Sequence, residues 1–252
     1  MSPGTALLVD LGNSRLKWAV LANGAIGAAT AAAHAGADIG PGVLSAWERL
    51  PPPARVLVGS VAGVGRDDQL RALCQRLWAC EPRFVRAGAR AAGVVSGYLS
   101  PEQLGVDRWL GLLAAHADGR GAACVVDCGT AVTIDVIDDV GRHRGGLILP
   151  GLQLMRDALL ARTRIPPITA PQPRLALGRD TGAAVVNGAL VAVVGAVRET
   201  LARASGLGDT AVRLVVAGGD AAALAAALDE PVELRPHLVL EGLAVLAGTE
   251  ET

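Results

Sequence analysis

Alternating hydrophobic and polar positions at the start of the chain predict a β-hairpin. Leu7–Asp10 and Leu16–Leu21 each alternate in the way that is typical of half-buried strands. Gly12 and Asn13 stand between the two segments and favour a tight turn. We therefore expect two neighbouring antiparallel strands here.

Strands and helices then follow one another up to about residue 117. Ala54–Gly63 predicts a buried strand that ends in a glycine loop, and Pro101–Ala117 predicts a loop that leads into a helix. Asp67–Trp78 has helical periodicity, because its apolar residues fall on one face. These residues are Leu70, Leu73, Cys74, Leu77 and Trp78.

The second half of the sequence begins again with strands. Residues 123–151 predict three strands joined by turns, and helices are predicted at Leu152–Arg162 and Thr181–Ser205. A strand at Val212–Ala217 and a helix at His237–Gly248 complete this half.

The order of these elements predicts the fold class. Both halves place strands before helices, so we predict an α/β fold with two similar halves, 1–117 and 118–252. The most apolar segment, Ala183–Val197, is shorter than the ~20 residues that cross a bilayer, and we interpret it as a buried core helix. Arg164–Asp180 holds four prolines and is predicted to be a surface loop.

Composition excludes several classes of function. The net charge of −1 gives no electrostatic footprint for nucleic acid. No basic region precedes the first apolar stretch, so we predict no signal peptide and expect a cytoplasmic protein with no membrane partner. The four cysteines lack the paired spacing of zinc sites, and we interpret them as reduced thiols.

A short motif recurs at the start of both halves. Asp10-Leu11-Gly12-Asn13-Ser14 returns 117 residues later (127 − 10) as Asp127-Cys128-Gly129-Thr130, again at the end of a predicted strand. Glycine admits positive φ angles and close backbone approach, and successive N–H groups bind anions. An aspartate repels phosphate, so its function there is to hold a cation. Two facing hairpins of this kind would clamp a polyphosphate; two structural Asx turns are the alternative.

Lys17 is the only lysine among the 23 lysine and arginine residues of the chain. It lies in the second strand of the first predicted hairpin. Its long side chain is able to reach a phosphate as a point charge, and a solvated surface lysine is the alternative.

The segment Gly105–Trp109 (GVDRW) precedes a predicted helix and contains an acid beside a base. A carboxylate such as Asp107 stays ionised next to Arg108. It is able to accept a proton from a hydroxyl that attacks phosphorus, while the arginine neutralises charge on the transferred group. The alternative is an N-cap aspartate followed by an exposed arginine.

Together these motifs resemble type III pantothenate kinases. The segments that carry the resemblance are DLGNSRLK (10–17), GVDR (105–108), DCGTAVT (127–133), GGLILPG (145–151) and TGAAVVNG (181–188). The resemblance covers essentially the whole chain. It implies the actin-like ATPase fold of the acetate kinase, sugar kinase, Hsp70 and actin superfamily, with two ribonuclease-H-like halves and a mixed sheet in each.

The resemblance also implies a reaction and its residues. ATP, accompanied by Mg²⁺, would phosphorylate the hydroxyl of pantothenate in the first step of coenzyme A biosynthesis. Asp107 is similar to the family's general base, and Asp127 to the aspartate that binds a monovalent cation, K⁺ or NH₄⁺. The family completes its pantothenate site with the partner subunit, which implies a homodimer. Residues similar to the ATP-binding ones are Asp10, Gly12, Asn13, Ser14, Lys17, Gly129 and Thr130, and those similar to the pantothenate-binding ones are Tyr98, Gly105, Val106, Arg108 and Thr181.

Two other functions are compatible with such a fold. A phosphatase would reuse the two hairpins, and a non-catalytic regulatory factor would keep the fold without activity. The family motif most often has alanine where this chain has Val106, which would tighten the pocket. The functional set is otherwise intact, and a drifting regulator is expected to lose at least one member. The members of that set are Asp10, Asp107, Arg108, Asp127 and Thr130.

Overall fold

A computed structural model describes residues 4–33, 39–168, 172–207 and 211–249. Its strands are β1 (Ala6–Leu11), β2 (Arg15–Ala22), β3 (Ala25–Ile26), β4 (Thr30–Ala33), β5 (Arg55–Ser60), β6 (Arg83–Phe84), β7 (Arg90–Ala91), β8 (Val94–Val95), β9 (Ala123–Cys128), β10 (Ala131–Ile137), β11 (His143–Pro150), β12 (Arg213–Ala217) and β13 (Val232–Leu234). Its α-helices are α1 (Pro41–Trp47), α2 (Val64–Trp78), α3 (Val106–Ala117), α4 (Leu152–Arg162), α5 (Thr181–Ala204), α6 (Ala221–Ala225) and α7 (Leu238–Thr249). A 3₁₀ helix covers Pro101–Gln103.

The chain divides into two compact units. One comprises Met1–Ala117 with His237–Thr252, and the other comprises Asp118–Pro236. The final helix, α7, groups with the first unit, whereas the sequence-based division had assigned it to the second half.

The first unit is built on a mixed sheet with the strand order β3-β2-β1-β5-β6, and β4 also pairs with β2. β1 is antiparallel to β2 and parallel to β5. Leu7, Val9 and Leu11 of β1 belong to a core that includes side chains of α1 and α2. Leu8, which points to the opposite face, is also buried, and α7 contacts β1. β1 is therefore covered on both faces, which accounts for its nearly continuous apolar sequence.

Close packing between α3 and α7 explains why the last helix joins the first unit. A Cβ at Gly242 of α7 would lie 2.1 Å from the carbonyl oxygen of Leu110 in α3. A Cβ at Gly59 of β5 would lie 2.7 Å from Cδ1 of the same leucine. Arg55 Nη2 donates a hydrogen bond to the carbonyl oxygen of Ala247 over 3.0 Å. The two glycine contacts hold α3, the helix that bears the predicted base, against α7 and β5.

Replacing Gly242 by alanine is expected to lower the free energy of unfolding by about 3 kcal/mol, because the new methyl group meets helix backbone rather than a side chain that is able to move. Urea or thermal unfolding measures the change. Gly248→Ala is the matched control in the same helix, since nothing lies within 4 Å of its added Cβ. A Gly242→Ala variant as stable as this control would contradict the packing described here.

The second unit repeats the arrangement. Its sheet has the order β11-β10-β9-β12-β13, with β9 antiparallel to β10 and parallel to β12. Val126 and Ile134 of this sheet share a core with Leu190 and Val194 of α5. The pairing of β9 with β10 and β12 thus corresponds to that of β1 with β2 and β5, as the repeated motif predicted.

Helix α5 is the longest helix of the described residues, at 24 residues. By length and composition alone it is apolar enough to cross a membrane, which is weak evidence because core helices meet the same criterion. Leu190, Val193, Val194 and Val197 lie in the core of the second unit. The segment predicted as a core helix therefore packs as one.

Several elements differ from the predictions. α2 begins at Val64 rather than Asp67, after Gly63 with a φ of 90°. α1 and β13 were not predicted, because seven and three residues are too few to show a period. Residues 169–171 of the predicted proline-rich loop lie outside the described part of the chain.

Candidate functional site

The first hairpin exposes its turn to solvent. The N–H of Gly12 donates to the carbonyl oxygen of Arg15 over 3.0 Å, and Asn13 and Ser14 lie exposed at the tip. Gly12 does not have the positive φ that we expected. A Cβ there would lie 3.2 Å from the oxygen of Arg15, so a tight backbone contact favours glycine instead. The exposed tip offers backbone and side-chain donors to an anion.

The second hairpin has the same form as the first, and the residue just before α4 packs closely against its turn. The N–H of Gly129 donates to the carbonyl oxygen of Ala131 over 3.0 Å, and Thr130 is exposed. Gly129 also lacks a positive φ. The N–H of Gly151, just before α4, donates to the carbonyl oxygen of Thr130 over 2.9 Å. A Cβ at Gly151 would lie 2.3 Å from the oxygen of Gly129, so only glycine lets α4 begin here.

The glycine loop after β12 lies close to Asp127. Gly218 follows β12 with a φ of 95°, and a Cβ on it would lie 2.5 Å from Oδ1 of Asp127. The N–H of Asp220 donates to the carbonyl oxygen of Cys128 over 3.0 Å. The sequence signalled these loops through their glycines, but it did not indicate which strand end they contact.

The two aspartates have different cross-strand neighbours. Asp10 lies directly opposite Lys17 in the register of β1 and β2, and Asp127 lies directly opposite Thr133 in that of β9 and β10. Directly opposed residues project from the same face with Cβ atoms about 5 Å apart. The first carboxylate therefore has an ammonium group of the chain beside it, and the second has a hydroxyl. The spacing of Lys17 from the turn had not indicated this neighbour.

The buried thiols have low reactivity. Burial, with the nearby charges of Asp127 and Asp220, raises the pKa of Cys128 to about 12. Burial likewise raises the pKa of Cys74 and Cys124 to about 12. All four cysteines are free. These three thiols stay neutral at physiological pH, so neither metal binding nor nucleophilic attack is expected of them.

Single carboxylates, rather than a cluster, are available for metal ions. Among the described residues, no group of three or more His, Cys, Asp or Glu side chains is suited to hold a metal. Mg²⁺ in kinase sites is bound by one or two carboxylates together with the phosphates of the substrate. Asp10 and Asp127 fit that pattern.

The start of α3 holds Asp107 in a defined orientation. Oδ1 of Asp107 accepts a hydrogen bond from the backbone N–H of Arg108 over 2.8 Å. A Cβ at Gly105 would lie 2.6 Å from the same oxygen, so glycine leaves the space that the carboxylate occupies. Val106 is buried beside them.

Arg108 is buried and anchored, unlike the exposed arginine of the alternative interpretation. It is 7% exposed, and its Nη1 donates to the hydroxyl of Tyr98 over 2.7 Å. The guanidinium also lies 5.5 Å from the centre of the Tyr98 ring, within the range of cation–π attraction. The fold thus joins Tyr98, Gly105, Asp107 and Arg108 into one cluster of the first unit.

Thr181 lies in the second unit, at the exposed first position of α5. Asp180 caps this helix by accepting a hydrogen bond from the N–H of Ala183 over 2.8 Å. Thr181 lines a cavity of about 190 Å³ beside Ile165 and Pro167.

Comparison with known proteins identifies the family. The profile described as type III pantothenate kinase matches residues 6–203. The type III pantothenate kinase of Halorhodospira halophila is 41% identical over 246 residues, which cover 94% of this chain and 95% of the relative. That of Nitrosococcus oceani is 37% identical over 247 residues, which cover 96% and 93%.

A solved structure extends the likeness to the fold. A Campylobacter jejuni protein assigned to the Baf family of transcriptional activators superposes with a TM-score of 0.62 at 20% identity, over 98% of this chain and all of that one. At this identity the likeness concerns the fold alone. Together with the mixed sheet in each unit, it confirms the predicted α/β fold with two similar halves. Since the family profile and both relatives extend over most of its length, this chain belongs to the type III pantothenate kinase family.

Proposed function

We propose that this chain transfers the γ-phosphoryl group of ATP to the hydroxyl of pantothenate and forms 4'-phosphopantothenate, in the first step of coenzyme A biosynthesis. The observation that supports this most directly is the cluster at the start of α3, where an oriented carboxylate adjoins a buried, anchored guanidinium. The intact functional set disfavours a non-catalytic regulator. The phosphatase alternative has no observation of its own in its favour.

Asp107 acts as the general base in this proposal. The hydroxyl oxygen of pantothenate forms a bond to the γ-phosphorus, the bond from that phosphorus to the leaving oxygen of ADP breaks, and the hydroxyl proton passes to the Asp107 carboxylate. The hydrogen bond from the N–H of Arg108 orients the carboxylate for this transfer, and the missing side chain at Gly105 leaves room for it.

The remaining predicted residues bind the two substrates. Arg108, with Tyr98 fixing its guanidinium, would neutralise charge on the phosphoryl group or the pantothenate carboxylate. Gly105, Val106 and Thr181 complete the predicted pantothenate contacts.

The two hairpin turns would bind ATP through their exposed donors. The first turn exposes the side chains of Asn13 and Ser14, and the second exposes that of Thr130, each with a donor for phosphate oxygens. Lys17 adds a point charge beside Asp10. The residues proposed for these contacts are Asp10, Gly12, Asn13, Ser14, Lys17, Gly129 and Thr130.

Cations would bind at the two aspartates. Asp10 would bind Mg²⁺ through water, and the metal supplies positive charge to the phosphates. Asp127 has a neutral hydroxyl as its cross-strand neighbour, and not an ammonium group, so it is the better position for K⁺ or NH₄⁺. Thr133 is an additional oxygen ligand within reach.

One experiment tests the function directly. Release of ADP is measured with ATP, Mg²⁺, K⁺ and pantothenate, and again with each component omitted. We expect ADP release only when pantothenate is present, together with equimolar 4'-phosphopantothenate. ADP release that does not depend on pantothenate would show that pantothenate is not the acceptor substrate.

We also propose a cytoplasmic homodimer. Exposed apolar side chains are concentrated on β11, α4 and α5, which follow one another along the chain, and α4 packs against both neighbours. These side chains are Leu147, Ile148, Leu154, Leu159 and Val191. Exposed apolar side chains favour a protein interface, and family resemblance favours a second copy as its occupant.

Val191→Glu is expected to convert the dimer to a monomer, because the charge would be buried without a partner in the interface. Light scattering after gel filtration measures the mass. Val64→Glu, at an exposed position of the first unit, is the control and should remain dimeric. A monomeric wild-type protein, or a dimeric Val191→Glu variant, would contradict this interface.

A further inference from the structure

A cavity of about 240 Å³ opens in the second unit between α4, α5 and α6. Arg156, Gln172 and Asp220 give it a mainly polar lining, and Leu152, Val186 and Ala223 add apolar contacts. Such a lining is suited to a flat heterocycle whose edge carries hydrogen-bond donors and acceptors. Its shape and lining therefore differ from those of the exposed turn of the second hairpin.

The cavity lies next to the second hairpin through two short connections. Leu152 follows Gly151, whose N–H donates to the carbonyl oxygen of Thr130. Asp220 is itself bonded through its N–H to the carbonyl oxygen of Cys128. A nucleotide with its phosphates at Gly129 and Thr130 thus has this cavity within reach of its base. This step rests on the proposed function.

Arg156 has a donor atom that is available to an acceptor bound in the cavity. One end of its guanidinium donates to Oε1 of Gln153, and Nε2 of Gln153 donates to Asp157 over 2.6 Å. Its Nε is buried and has no hydrogen-bond partner among the described residues. A buried donor without a partner is costly, and a small turn of the side chain toward an acceptor in the cavity would remove that cost.

Asp220 supplies the complementary acceptor. It stands at the N-cap position of α6, but its side chain makes no capping hydrogen bond. A carboxylate accepts two parallel hydrogen bonds, and guanine offers such a pair at N1–H and N2–H, whereas adenine offers the N6 amino group alone. Arginine pairs with the purine acceptor N7, and in guanine also with O6.

We propose that this cavity binds the base of the nucleotide through Arg156 and Asp220, and that it admits guanine as well as adenine, so that GTP is a phosphoryl donor beside ATP. Asp220 is able to accept a hydrogen bond from the guanine amino group. Pyrimidines have no counterpart of the purine N7 acceptor for Arg156 to bind. Base selection by this chain is therefore for purines rather than for adenine alone.

The test compares donors in the full-length protein. Formation of phosphorylated pantothenate is followed by mass spectrometry with ATP, GTP or CTP. We expect kcat/KM for GTP within about tenfold of that for ATP, and CTP well below both. A value for GTP more than about 100-fold below that for ATP would overturn the proposal. If ATP alone supports phosphorylation, the proposed function stands and only this inference fails.

Two variants assign the effect to the cavity. Asp220→Asn should lower kcat/KM for GTP about tenfold relative to ATP, because the amide no longer accepts both guanine hydrogens. Arg156→Met should raise KM for both nucleotides with little change in kcat. Arg162→Met, at the exposed end of the same helix, is the matched control. Parameters for Arg156→Met that equal those of the control would refute the role of Arg156.

Binding provides a readout that needs no turnover. Calorimetry with GDP and ADP should give dissociation constants within about tenfold of each other. Binding of ADP but not of GDP would overturn the inference even if pantothenate proved not to be the acceptor.

Discussion

Asp107→Asn is expected to lower the turnover number by a factor on the order of 10² or more, while ATP continues to bind. Asparagine preserves the size of the side chain and is able to accept the hydrogen bond from the N–H of Arg108. It cannot take the proton of the attacking hydroxyl at neutral pH, so the loss should fall on kcat. Steady-state kinetics with pantothenate and calorimetric binding of ADP measure the two parts separately.

Glu102→Gln is the matched control for this result. Glu102 is an exposed carboxylate on the preceding 3₁₀ helix, and its replacement removes the same charge from the same region of the first unit. We expect near-normal turnover for it. Near-normal turnover of Asp107→Asn as well would remove Asp107 as the base.

Asp127→Asn is expected to abolish activation by potassium and to lower turnover by a factor on the order of 10². The carboxylate at the end of β9 has Thr133 as its cross-strand neighbour, whereas the one lysine of the chain, Lys17, lies opposite Asp10. Wild-type protein should be active in potassium or ammonium salts and much less active in sodium. Rates of the wild type and the variant are compared across potassium concentrations at constant ionic strength.

Asp139→Asn is the control for the second unit, because Asp139 is an exposed carboxylate in the turn after β10. It should retain the potassium response of the wild type. Equal wild-type rates in sodium and potassium, or an Asp127→Asn variant that potassium still activates, would contradict the cation role of Asp127.

The hairpins illustrate what can be predicted from local sequence. The alternation of Leu7–Asp10 and Leu16–Leu21, with Gly12 between them, predicted β1, its turn and β2. Such a prediction succeeds because strand period and turn chemistry are properties of adjacent residues. Of the two reasons given for the glycines, the positive φ was wrong, since neither Gly12 nor Gly129 has one. What favours glycine at 12 is a contact with the carbonyl oxygen of Arg15.

Contacts between residues far apart in the chain could not be predicted from the sequence. The bond between Arg108 and Tyr98 crosses ten residues, and the approach of Gly242 to Leu110 crosses more than a hundred. Neither contact is marked by a local sequence pattern, because glycines and arginines are common on helix faces and their type does not indicate which distant residue they contact. The assignment of α7 to the first unit depends on these contacts.

The sequence by itself determined the two similar α/β halves, the repeated aspartate-glycine turns and the acid at the start of α3, because period, turn residues and short motifs are encoded locally. Only the tertiary structure decided that Arg108 is buried against Tyr98, that Lys17 faces Asp10 while Thr133 faces Asp127, and that an arginine and an aspartate share a cavity beside the second hairpin. The physical reason is that strand register and helix packing minimise the free energy of the whole core. They thereby place side chains next to partners that no short stretch of sequence specifies.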